Sequence, residues 1–145
     1  MKMKLFAGLA IALFALLLSS CEKDPLTIPY QNVDFQFSIY QDVLDSPGGI
    51  KIFGGQGYNG NGVIVCHQLT TSTDPVLTAF DATCPKEHGL DVSVKIDESG
   101  ILKVKCPVCN TAYDLRMRGE GVGAKLAQYG VYAVSTDKIY YRVKN

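Results

Sequence analysis

From Val33 onward the apolar residues recur at every second position. Val33, Phe35, Phe37 and Ile39 alternate with Asp34, Gln36, Ser38 and Tyr40, the pattern of a half-buried strand. Ile50–Phe53 predicts a short strand, and residues 54–62 (GGQGYNGNG) a loop. Five glycines in those nine residues raise the question of a phosphate cradle. No helix pattern and no Lys-Ser/Thr follows them, so the segment reads as a turn. Val63–His67 and residues 76–81 predict two further strands. Val92, Val94 and Ile96 alternate before Asp97-Glu98-Ser99-Gly100, which turns the chain into residues 101–105 as a hairpin. Residues 129–134 and 139–143 form a closing hairpin around Ser135-Thr136-Asp137-Lys138. No 3.6-residue periodicity and no internal repeat interrupts this series. Many short strands with regular turn signals predict an all-β domain, a β-sandwich or small barrel.

The start of the chain has another character. Residues 1–4 are basic and residues 5–18 apolar, a run too short and wrongly flanked for a spanning helix and suited to a secretory signal. Leu18-Ser19-Ser20-Cys21 resembles a bacterial lipobox, which implies cleavage before Cys21 and lipidation of that cysteine. The expected organisation is a signal peptide over residues 1–20, a lipidated tether over 21–30 and one β domain over 31–145. Such a chain is exported and held by its lipid in the bacterial cell envelope, with the outer membrane as the expected site. Removing Lys2 and Lys4 leaves 12 basic against 14 acidic residues, a charge near −2 with no basic run. Nucleic-acid binding therefore has no electrostatic support.

Candidate chemistry is concentrated in two short motifs. Cys84-Pro-Lys-Glu-His88 and Cys106-Pro-Val-Cys109 gather three of the five cysteines and one of the two histidines. Three thiolates and an imidazole can close a four-ligand site around zinc or an iron–sulfur cluster. In an oxidising compartment unmetallated thiols pair instead, and a Cys84–Cys106 bridge would join the two loops. Cys66 and His67 are adjacent on a strand and point to opposite faces, which predicts a core thiol and a surface histidine. No paired carboxylates, no Ser-His-Asp set and no nucleophile motif occur, so the sequence gives no support for catalysis by the domain itself.

The order of these pieces resembles a Rieske-type iron–sulfur domain. The resemblance is carried by Val63-Ile64-Val65, by Leu77-Thr78-Ala79-Phe80-Asp81-Ala82-Thr83-Cys84-Pro85 and by Lys103-Val104-Lys105-Cys106-Pro107-Val108-Cys109-Asn110-Thr111-Ala112-Tyr113-Asp114-Leu115. Residues 126–143 resemble the family's last strands. It implies two hairpin loops around a 2Fe-2S cluster, with two cysteines on one iron and two histidines on the other. It also implies one-electron transfer to or from a redox partner protein. Cys84 and Cys106 match the family's two cysteines, Thr111 the serine that hydrogen-bonds the cluster, and Tyr113-Asp114-Leu115 the usual continuation. Lys86 and Cys109 stand where the two histidines belong, and His88 lies two residues past the first. The ligand set so implied is Cys84, His88, Cys106 and Cys109, with Thr111 behind it. Replacing an imidazole by a thiolate would lower such a cluster's potential. Zinc, or a disulfide with no metal, is the other expectation, and either leaves a redox-silent binding or structural module.

Overall fold

Period-2 geometry puts Val63 and Val65 on one side of a strand and Ile64 and Cys66 on the other. In the computed structural model, which describes residues 26–145, both sides are interior: all four residues are fully buried. The continuous apolar run Val63–Cys66 belongs to a wall shared by two cores, and the rest of the fold is arranged about it.

Among the described residues the chain forms β1 (Asp34–Ser38), β2 (Ile50–Phe53), β3 (Val63–His67), β4 (Leu77–Asp81), β5 (Lys95–Ile96) and β6 (Lys103–Lys105). These are followed by β7 (Ala112–Asp114), β8 (Glu120–Gly121), β9 (Ala124–Lys125), β10 (Gln128–Ala133) and β11 (Tyr140–Lys144). Three 3-10 turns, at Tyr58–Gly60, His88–Leu90 and Leu115–Met117, are the only helical pieces among these residues. The fold is all-β. A six-stranded sheet, ordered β1-β11-β10-β4-β3-β2, curls into a half-barrel, and a five-stranded sheet, ordered β5-β6-β7-β8-β9, lies against it.

The inner core holds Val33, Phe37, Val63, Val65, Ala79, Tyr141 and Val143. Phe35 and Phe37 of β1 meet Phe53 of β2 at ring-centroid distances of 5.1 and 5.5 Å, so aromatic contact bridges the two edge strands without a backbone ladder. The outer core lies between the β3–β4 wall and the small sheet, and holds Ile64, Cys66, Phe80, Val104, Tyr113, Leu115 and Leu126.

One buried carboxylate fixes the glycine-rich loop. Asp81 accepts hydrogen bonds from Tyr58 N–H at 2.6 Å, Thr83 N–H at 2.8 Å and the Tyr129 hydroxyl at 2.6 Å. Burial, and then Asp81, pushes the Tyr129 phenol upward, so it remains a donor. Gly57 sits at φ +75, and a Cβ there would lie 2.6 Å from Asp81 Oδ2, so glycine is required.

Several expectations are corrected. The all-β expectation holds, with a curled half-barrel sheet and a second small sheet where a sandwich or small barrel is expected. β7, β8 and β9, of two or three residues each, were not predicted. His67, expected at the surface, is buried, and its Nδ1–H donates to the Leu44 carbonyl at 3.0 Å. The cause is the segment ahead of β2: Gly48 N–H donates to His67 O and His67 N–H to Gly49 O, both at 2.9 Å, covering the ring.

The expected signal peptide and the lipidated Cys21 lie outside the described residues. Leu26 pairs with Ala124 beside β9, and Ile28 is buried, so packing begins within residues assigned to the tether. Among the described residues no helix is long and apolar enough to cross a membrane.

Candidate metal centre

Both cysteine loops begin with a Cys-Pro turn. In the loop between β4 and β5, Pro85 supplies the fixed φ of a turn whose Glu87 N–H returns to the Cys84 carbonyl at 3.0 Å. Cys84 N–H to Val92 O (2.9 Å) and Val94 N–H to Ala82 O (2.7 Å) clamp its base. The loop between β6 and β7 is tighter, with Cys106 N–H on Thr111 O at 2.9 Å and Asn110 N–H on Cys106 O at 3.1 Å. Asn110 takes the left-handed conformation, φ +58, which asparagine tolerates better than most residues.

Together the loops bring three sulfur atoms to one point. The Sγ atoms of Cys84, Cys106 and Cys109 lie within 4.8 Å of one another, and Cys84 to Cys109 is 3.6 Å. Cys84 and Cys106 are fully buried in the outer core beside Val94, Val104 and Leu115, whereas Cys109 is half-buried at its edge. The Tyr113 hydroxyl is 3.2 Å from Cys84 Sγ, and Thr111 Oγ1 is 3.2 Å from Cys109 Sγ.

These surroundings separate the thiols electrostatically. Burial pushes Cys84 up to about 11, against hydrogen bonds from Tyr113 and the Lys86 backbone. Burial acts on Cys109 in the same direction, but hydrogen bonds from Thr111 and the two neighbouring thiols outweigh it and bring it down to about 7. Burial, and then Cys84, pushes the Tyr113 phenol far up, so it stays protonated and donates toward sulfur. A thiolate is thus favoured at Cys109, beside Cys84 and Tyr113, which burial keeps protonated.

The other named residues fall elsewhere. His88 is exposed and outside the sulfur group, its Nδ1–H donating to the Pro85 carbonyl at 3.0 Å, which leaves Nε2 free. The Lys86 side chain is exposed. Cys66, raised by burial to about 11, bonds to Thr78 Oγ1 at 3.1 Å and lies outside the group. Thr111 sits against the Cys109 sulfur. Tyr113 is the functional residue the sequence reading passed over, noting it only within the Tyr-Asp-Leu continuation. Its signal was a tyrosine on a strand leaving a cysteine loop, since a buried phenol needs a polar partner.

No family model, curated protein or solved structure matches the chain.

The donor set decides which group these residues suit. In a 2Fe-2S cluster bridging sulfides fill two positions on each iron and leave two for protein ligands. Three converging thiolates are one too many for a single iron. Cys109 cannot serve the second iron while 3.6 Å from Cys84. No imidazole joins the group. The residues as placed do not fit a two-iron cluster of the Rieske kind. They fit a single tetrahedral ion, because metal–sulfur bonds of about 2.3 Å set thiolates about 3.8 Å apart.

Proposed function

We propose that Cys84, Cys106 and Cys109 together hold one thiophilic metal ion, with zinc the best match, and that the ion staples the two loops of an envelope-anchored binding or structural module with a Rieske-like fold. The mutual approach of the three sulfurs carries this reading. Water or Nε2 of His88 supplies the fourth position, the latter after the loop between β4 and β5 turns inward. Zinc would contribute a redox-inert cross-link. The protein's own part is to keep two sulfurs dry, donate to Cys84 from Tyr113, and leave Cys109 at the open side.

A second reading, favoured by the contacts of Tyr113 and Thr111 with sulfur, is one-electron transfer by a 2Fe-2S protein, because hydrogen bonds to sulfur set such potentials. It requires Cys109 to part from Cys84 and His88 to turn in.

Metal and sulfide analysis of the full chain, purified anaerobically, separates the readings. About one zinc per chain without visible colour supports the staple. About two irons and two sulfides with a brown colour establish the electron carrier instead. Neither metal means the thiols serve without one. In the zinc-bound protein, a chelator is expected to release amide protection in β6 and β7 before β3 and β4, as read by hydrogen exchange.

A further inference from the structure

We infer that this sulfur group has a defined oxidised state, a disulfide between Cys84 and Cys109, and that forming it evicts the bound ion. The pairing follows from the geometry whether or not a metal binds, and the eviction rests on the metal reading above. Three bridges can be drawn among the three thiols: the short-range Cys106–Cys109 link within one loop, Cys84–Cys106, and Cys84–Cys109. The sulfurs of the last pair are 3.6 Å apart, and Cys106 hydrogen-bonds both of them from deeper in the core. Cys109 gives this pair a way in from solvent, being half-buried while Cys84 and Cys106 are fully buried, which leaves Cys84–Cys106 without one. An oxidant meets Cys109 first and finds Cys84 immediately behind it. Cys106 and Cys109 share one tight loop, closed by Cys106 N–H to Thr111 O and Asn110 N–H to Cys106 O, whereas Cys84 reaches them from the other loop.

The oxidant is a low-molecular-weight disulfide such as oxidised glutathione. The Cys109 thiolate attacks one sulfur of that disulfide, whose S–S bond breaks, and the departing thiolate takes a proton from water. The product is a mixed disulfide at Cys109. Cys84 then gives its proton to solvent and attacks Cys109 Sγ, and the second small thiolate leaves. Two protein thiols are oxidised to one disulfide, and one small disulfide is reduced to two thiols. Two of the three ligands are consumed, so the ion departs and Cys106 remains a free buried thiol. The site thereby reports the redox state of its compartment by releasing its ion.

The test is made on the full chain under anaerobic conditions, once zinc-loaded and once metal-free, with oxidised glutathione as oxidant. Remaining thiols are alkylated and the bridge is located by fragmentation mass spectrometry, while a chromogenic chelator follows released zinc. The expected result is a Cys84–Cys109 bridge in both preparations, Cys106 and Cys66 alkylated, and about one zinc freed per bridge. A Cys106–Cys109 or Cys84–Cys106 bridge, or Cys66, Cys84, Cys106 and Cys109 all alkylated after exhaustive treatment, overturns the pairing. A correct bridge with zinc retained overturns the eviction alone. A correct bridge in a chain that never binds zinc leaves the pairing standing and removes the metal reading. Cys106→Ser gives a second check, because it should form the same bridge, whereas Cys109→Ser should form none.

Discussion

The half-barrel and the small sheet are built on different terms. β1, β3, β10 and β11 run five or six residues, and β3 is paired along its full length with β4. No strand of the small sheet exceeds three residues. The half-barrel closes on its own aromatics, whereas the small sheet buries its residues only against the β3–β4 wall. Much of its side of that core, Val94, Leu102, Leu115 and Leu126, comes from the connections between its strands. A sheet with so few ladder hydrogen bonds depends on long-range ties, and the sulfur group joins its β6–β7 loop to the end of β4. The region with least backbone pairing is the one that would gain most from a cross-link.

The severest test of this division is Phe80→Ala on the shared wall. Phe80 is fully buried, and its removal should cost about 3–5 kcal/mol and loosen both sheets together in urea unfolding. Separate transitions would mean the wall is not shared. Next, Asp81→Ala should cost about 3 kcal/mol by orphaning Tyr58 N–H, Thr83 N–H and the Tyr129 hydroxyl. Its damage should appear in hydrogen exchange of the half-barrel and the 54–62 loop and leave β6 and β7 protected.

Gly121→Ala probes the other side. A Cβ there would lie 2.7 Å from Tyr113 Cδ1 and 2.8 Å from Ala112 O, so about 1–3 kcal/mol should be lost from the small sheet alone. Metal retention should fall with it. Smallest is the effect of pH on the reduced, metal-free protein. Cys109 moves from 9.0 to about 7 on folding, so between those values the unfolded chain holds the extra proton and stability rises with pH. Cys84 moves from 9.0 to about 11, so above 9 the folded chain holds the extra proton and stability falls. Thermal melts across this range should pass a maximum near pH 9, and Cys109→Ser should erase the rising limb.

The same division governs what could be read from sequence. The alternation of Val33 to Ile39 is strong because one face packs against a core, and the apolar run of Val63 to Cys66 because both faces do; the half-barrel strands follow them closely. Glu120–Gly121 and Ala124–Lys125 are too short to display a period, whereas Lys95–Ile96 and its hairpin to β6 follow from the alternation of Val92, Val94 and Ile96. His67 misled because its cover is supplied by residues 44–49 and not by its own strand. At the site, the two Cys-Pro loops were legible from spacing. That His88 would face away and the three sulfurs would close on themselves was not, because loop direction is set by backbone bonds such as Cys84 N–H to Val92 O.

The order of the larger sheet sets a condition on how the protein can be made. β1 pairs with β11 alone, across a separation of about a hundred residues (Asp34 with Lys144, Ser38 with Tyr140). Val33 N–H reaches the Asn145 side chain at 2.9 Å. As the chain grows, its first strand must therefore wait, unpaired and apolar on one face, until β11 has been synthesised. β2–β3–β4 and β5–β9 pair with neighbours in sequence and have their partners earlier, so closure of the larger sheet by β1 comes last. The strand made first is thus the one whose partner is made last.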